Sequence, residues 1–162
     1  MFTVVKMIVS YTRTNSSDAD FTELVRLLDK DLAIRDGDDH AFYAQFNKTS
    51  LLKHALVAYK NGEAVACGAL KQYDEDTLEV KRMYVSEAHR RKGLAKGVLT
   101  ELEQWAHELG FRKLVLETGK NQPEALGLYS KMGYKVMENY GAEADRLDAM
   151  VKERNCPPAP PG

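Results

Sequence analysis

The period of apolar and polar positions changes several times along the chain, and each change predicts an element. Residues 3–11 are rich in Val, Ile and Thr and read as a strand, after which the polar segment TNSSDAD (14–20) supplies an N-cap. Phe21, Leu24, Val25, Leu27 and Leu28 then recur at helical spacing. Between 31 and 53 the pattern weakens, and the aromatic segment AFYAQF behind Asp38 and Asp39 predicts a short helix over 39–47. HALVAYKNGEAVACGALKQY (54–73) carries Asn61-Gly62 between two strand-like runs, a hairpin signal because both turn residues must tolerate positive φ. A turn at 73–76 leads to LEVKRMYV (78–85), the third strand of an antiparallel meander. The period then moves between 3.6 and 2, so helix, strand, helix and strand follow, the pattern of an α/β crossover half.

Composition narrows the class. The chain of 162 residues is long enough for one domain, is 44% hydrophobic and 29% charged, and has a formal net charge of -1. That balance provides no global attraction to nucleic acid or an anionic membrane, so any basic site must be local. Residues 1–153 read as the domain and 154–162, with four prolines, as an extended disordered tail. Two cysteines, Cys67 in an apolar run and Cys156 in the tail, fit a reducing, cytoplasmic compartment. The N-terminal apolar stretch is far shorter than the roughly 20 residues of a membrane span. His40, His54, His89 and His107 are scattered without ligand spacing, so no metal is expected.

Chemistry concentrates after residue 78. In LEVKRMYV, Leu78 and Val80 share one parity while Met83 and Val85 share the other. A β-bulge near Lys81 and Arg82 would keep all four on one face; a strand buried on both faces is the alternative. A bulge frees backbone groups that can bind an extended amide-containing ligand as an added strand would. Directly behind come Ser86-Glu87-Ala88-His89-Arg90-Arg91-Lys92-Gly93 and a helix whose apolar stripe is Leu94, Val98, Leu99, Leu102, Trp105, Ala106 and Leu109, stopped by Gly110. Unpaired N–H groups and partial positive charge at a helix start attract phosphate, and Gly93 permits close approach. Arg90, Arg91, Lys92 and Lys96 are placed against the macrodipole there, an arrangement that an anionic ligand relieves. A solvated turn would look the same in isolation; the coincidence of strand, turn, basic cluster and helix favours the anion site.

These residues resemble a known family. V-K-R-M-Y-V followed by Arg90-Arg91-Lys92-Gly93-Leu94-Ala95 is similar to the R/Q-x-x-G-x-G/A motif of the GNAT N-acetyltransferases. The resemblance implies an α/β fold with a mixed central sheet, an antiparallel N-terminal meander and a β-α-β-α-β half that binds acetyl-CoA. It implies that the loop and helix start, Arg90 to Lys96, bind the pyrophosphate, and that the bulged strand at Met83, Tyr84 and Val85 binds the pantetheine. KLVLETG (113–119) and NQPEALGLYSKMGY (121–134) resemble the family's second motif, in which an Asn before the helix contacts the cofactor and a Tyr stands near the CoA sulfur. Those positions are Asn121, which by itself reads as an N-cap, and Tyr129, which by itself reads as core. The family closes with a further strand, for which RLDAMVK (146–152) is a short, charged candidate. Members are often dimers, so a homodimer is a further implication.

Acetyl transfer to an amine needs a proton acceptor, an oxyanion donor and a donor to the departing thiolate. Glu79, beside the bulge, is the first choice for the base and Glu117 the second. A backbone N–H near Met83 or Tyr84 can bond the thioester oxygen, and Tyr129 can donate to sulfur. Direct attack in a ternary complex requires no covalent enzyme intermediate, so Cys67 reads as core. Phe42, Tyr43 and Phe46 are candidates for the acceptor pocket, and Asp36, Asp38 and Asp39 would favour a cationic amine, small or peptidic. The competing class is a non-catalytic acyl-CoA-binding sensor or partner module. A nucleotide-phosphate site is disfavoured because G-K-[ST] is absent.

Overall fold

A computed structural model describes residues 8–36, 51–119, 123–138, 140 and 147–153. Its elements run β1 (Val9–Thr14), α1 (Ala19–Asp36), β2 (His54–Lys60), β3 (Glu63–Gln72), β4 (Thr77–Val85), a 3₁₀ turn (Glu87–His89), α2 (Leu94–Glu108), β5 (Lys113–Gly119), α3 (Pro123–Lys131), β6 (Lys135–Met137) and β7 (Leu147–Glu153). The first strand differs from its predicted bounds: it pairs Val9↔Lys60 through Thr14↔Ala55, so the ladder with β2 carries it past the apolar run into polar Arg13 and Thr14. Residues 1–7, the helix expected over 39–47 and the tail 154–162 lie outside the described residues.

One seven-stranded sheet in the order β1-β2-β3-β4-β5-β7-β6 joins everything. The hairpin forms where Asn61 and Gly62 take φ of 51° and 85°. All pairs are antiparallel except β4 with β5. The strand at 146–152 does form, over Leu147–Glu153, and it inserts between β5 and β6 instead of extending the sheet outward.

Both faces of the sheet are covered. On one face α2 buries Leu94, Val98, Leu99, Leu102 and Ala106 against Leu78, Val80, Leu114 and Leu116. On the other, Phe21, Leu24 and Val25 of α1 pack on Val57, Cys67, Ala69 and Tyr84. Leu109, expected in the α2 stripe, is instead the C-cap and 39% exposed, because the helix ends one residue earlier.

The parity slip in β4 has a specific cause. Cys67 faces Tyr84 and Ala69 faces Lys81, so Arg82 and Met83 both stand opposite Gly68. Arg82 takes φ +58°, and the Cys67 thiol donates to its carbonyl at 3.3 Å. This is a β-bulge, and it occurs in a strand buried on both faces, so the two alternatives coexist. Gly68 makes it possible. A Cβ there would meet Met83 Sδ at 2.7 Å, Leu102 Cδ1 at 2.8 Å and Val98 Cγ1 at 2.9 Å. Gly68→Ala is therefore expected to cost about 1–3 kcal/mol of stability, read from urea unfolding midpoints. An unchanged midpoint would mean that the bulge tolerates a methyl group.

Candidate active site

Parallel pairing of β4 with β5 covers only Thr77↔Lys113, Leu78↔Leu114 and Glu79↔Val115. Beyond it β4 stays with β3 and β5 with β7, so the two strands part and leave a cleft in the middle of the sheet. From Val80 onward the β4 edge facing that cleft has no ladder partner among the described residues, and the bulge lies within this stretch. Met83 and Val85 are half-buried there and Tyr84 is buried.

The start of α2 lies beyond the C-terminal end of β4. Arg91 and Gly93 take φ of 65° and 79°, which turns the chain sharply before the helix. The first helical bond runs from the Gly97 amide to the Gly93 carbonyl at 3.0 Å, so the amides of Leu94, Ala95 and Lys96 precede the ladder. Gly93 is exposed, and a Cβ built on it meets nothing within 4 Å, so the approach to those amides is open. Arg91, Lys92 and Lys96 are exposed around it.

Arg90 is held differently from its neighbours. Its Nε donates to the Val85 carbonyl at 3.0 Å, its Nη2 to Asp31 of α1 at 3.2 Å, and its guanidinium lies 5.6 Å from the Tyr84 ring centroid. Its charge is thus already paired, and it ties the turn to β4 and α1. The same bond occupies the carbonyl of Val85.

Strand alternation separates the side chains around the cleft. Leu78 and Val80, like Leu114 and Leu116, point to α2, so Glu79, Lys81 and Glu117 occupy the opposite face. Tyr140 donates its hydroxyl to Glu79 Oε2 at 2.9 Å, and Lys81 Nζ lies 3.9 Å from Glu79 Oε1. The Tyr73 ring meets Tyr140 edge-on at 5.1 Å. Glu117 Oε2 is buried without a partner among the described residues. Burial raises the pKa of Glu117, the Glu79 charge raises it further, and Lys81 opposes both. The Tyr140 phenol is also raised, by burial and then by Glu79.

Tyr129 is on the α2 side. It is 7% exposed and edge-on to Tyr134 at 5.8 Å, and burial pushes its phenol up to about 12. Cys67 is fully buried with its thiol also pushed up to about 12, as a core residue should be. Asn121, Phe42, Tyr43, Phe46, Asp38 and Asp39 lie outside the described residues, and Asp36 is the last residue of α1. Sequence reasoning missed Tyr140, Tyr73 and Arg82. The polar parity of Glu79, Lys81 and Glu117 was a usable signal for their shared face, whereas nothing local marks Tyr140. Among the described residues no helix is long and apolar enough to cross a membrane, and no group of three His, Cys, Asp or Glu is placed to hold a metal ion.

Comparison with known proteins bears on this geometry. The model of the acetyltransferase (GNAT) family matches residues 21–134. An uncharacterized N-acetyltransferase, YsnE, of Bacillus subtilis is 38% identical over 95 residues, 56% of this chain and 63% of its own length. Human N-acetyltransferase 8 is 37% identical over 67 residues, 38% of this chain and 30% of its own. The matched segments thus span less than two thirds of these relatives. Among solved structures, a candidate acyl-CoA N-acyltransferase from Klebsiella pneumoniae superposes with a TM-score of 0.75 at 28% identity, covering 90% of this chain and 97% of that one. The PaiA N-acetyltransferase of Thermoplasma acidophilum, solved with coenzyme A, shares the fold at a TM-score of 0.68 and 16% identity over 91% and 100% of the two chains.

Proposed function

The chain belongs to the acetyltransferase (GNAT) family, and on that premise we propose that it transfers the acetyl group of acetyl-CoA to a primary amine by direct attack in a ternary complex. One observation carries the reading. The sheet opens beside a carboxylate with an unpartnered buried oxygen, and an accessible helix N-terminus lies at the end of the same cleft. Bound there, acetyl-CoA supplies an acetyl group already activated as a thioester.

The protein's residues divide the remaining work. The amides of Leu94, Ala95 and Lys96 hold the diphosphate, Gly93 lets it approach, and Arg91, Lys92 and Lys96 balance its charge. Arg90 acts as a positioning residue that fixes the turn to β4 and α1. The unpaired edge of β4 at Met83 and Tyr84 bonds the amides of the pantetheine arm, and one of its N–H groups faces the thioester oxygen as charge develops. Asn121, just ahead of α3, is assigned to the same arm.

Glu117 is the better base, which reverses the order expected from sequence. Glu79 is already engaged by Tyr140 and Lys81, whereas Glu117 has an empty oxygen and a raised proton affinity. Glu79 sustains that affinity by like charge. A Tyr129 phenol that keeps its proton up to about pH 12 is a donor to the departing sulfur throughout the neutral range.

Two measurements test the reading. Acetyl-CoA and CoA should raise the melting temperature while ATP should not, because the grip includes the pantetheine arm. Thiol release should then accelerate with members of an amine panel. Binding without thiol release on any amine would favour the sensor alternative.

A further inference from the structure

Glu117 Oε2 has a counterpart of opposite charge. Nη2 of Arg82 is likewise buried without a partner among the described residues. The Arg82 side chain is only 4% exposed, and its Nη1 meets Asp29 of α1 at 3.3 Å. Burial lowers the guanidinium's proton affinity, against which the Asp29 charge acts. A guanidinium presents five donors in a planar fork suited to a carboxylate, and leaving donors empty in the interior is costly.

The bulge determines where this cation stands. Because Arg82 is the extra residue, with φ +58°, its side chain lies on the α1 face, next to Lys81 and on the same face as Glu79 and Glu117. Extending the Glu79↔Val115 register places Lys81 level with Glu117 and Arg82 one residue further along. The strands have parted by then, so the stems of Arg82 and Glu117 are separated by more than the about 4.8 Å of paired strands. An empty donor on β4 and an empty acceptor on β5, on the same face of the sheet and one register step apart, complement a molecule that carries an anion and an amine a few bonds apart.

We propose that the acceptor is a carboxylate-bearing amine, of which α-amino acids are the simplest, with its carboxylate held by Arg82 and its nitrogen presented to Glu117. This rests on the acetyl-transfer reading above. Lys81 is directed to Glu79, and Arg82, although its Nη1 meets Asp29, keeps on this face a buried guanidinium nitrogen, Nη2, without a partner among the described residues. A substrate lacking the carboxylate leaves Nη2 of Arg82 without a partner, and sites built on buried polar groups reject such analogues most strongly.

The test measures acetyl-CoA-dependent thiol release with the twenty α-amino acids, each beside its C-terminal amide, and with butylamine. At least one acid should exceed its amide in kcat/KM by roughly 10- to 100-fold, the effect of hydrogen bonds to a charged partner. Arg82→Gln should bring that ratio close to one while the melting shift with acetyl-CoA persists. Thiol release with amides or butylamine at rates equal to the acids would overturn the carboxylate site and leave the transfer reading standing. If no thiol is released, the transfer reading falls, and calorimetry with N-acetylated amino acids and their amides decides separately. Binding of the acids alone supports the Arg82 site, and equal or absent binding overturns it.

Discussion

Gly93→Asp is expected to remove acetyl-CoA binding while the protein remains folded. Gly93 sits at φ +79°, a conformation that costs a non-glycine residue roughly 1–2 kcal/mol, with Asp among the more tolerant. A Cβ there meets nothing within 4 Å, so no clash adds to that cost. The introduced carboxylate faces the place assigned to the diphosphate. At about 4 Å and an effective dielectric constant of about 20, like charges repel by about 4 kcal/mol, on the order of a thousandfold in affinity. Gly93→Ala separates the two effects, because it carries the backbone strain without the charge and should bind more tightly than the Asp variant. Calorimetric titration with acetyl-CoA measures both. Affinity of Gly93→Asp within tenfold of wild type would place the diphosphate elsewhere.

Glu117→Gln should lower kcat by about 10²–10⁴, the range for removal of a general base, with acetyl-CoA affinity unchanged. The same variant should melt higher than wild type at neutral pH. Because burial raises the folded-state pKa of Glu117, the folded protein holds that proton more tightly than the unfolded chain. Wild-type stability is therefore undiminished below the ordinary glutamate range and falls as pH rises toward the raised folded value. The variant has no such fall, so the difference in melting temperature should disappear in acid. Wild-type activity should rise with pH over the same interval. Glu79→Gln removes the neighbouring negative charge and should move that rise to lower pH. If Glu79→Gln carries the large loss of kcat and Glu117→Gln does not, the two roles are exchanged.

These effects combine in one site because a sheet covered on both faces can open only where strand pairing stops. Glu79 is the last β4 residue paired with β5, and the bulge begins three residues later at Arg82. The carboxylates therefore stand where the strands part, within reach of a ligand that lies between them. Desolvation by the surrounding protein is also what raises the proton affinity of Glu117. The stability cost of that buried carboxylate and the base role proposed for it have the same origin.

Much of this was legible in the chain itself wherever the cause is local. Asn61 and Gly62 announce a hairpin because both must take positive φ, and they do. The slip from Leu78 and Val80 to Met83 and Val85 announces the bulge because side chains alternate strictly along a strand. Arg91, Lys92 and Lys96 oppose the macrodipole at a helix start, and the structure exposes all three around Gly93, whereas Arg90 is paired with Asp31. The apolar stripe of α2 sets which residues it buries.

Contacts between distant segments were not legible. Tyr140 reaches Glu79 across 61 positions, and Asp31 takes Arg90 across 59, each joining side chains that no periodic pattern connects. Insertion of β7 between β5 and β6 follows from sheet pairing, since a short strand carries hydrogen-bonding capacity for more than one neighbour. The preference for Glu117 over Glu79 as the base also came from tertiary surroundings. Both are strand glutamates in sequence, and only packing left one with a bonded carboxylate and the other with a buried empty oxygen. The elements and the glycine turn ahead of α2 are thus written in local periodicity and backbone conformation, whereas the order of the last strands and the proton affinities in the cleft were decided by long-range pairing and burial.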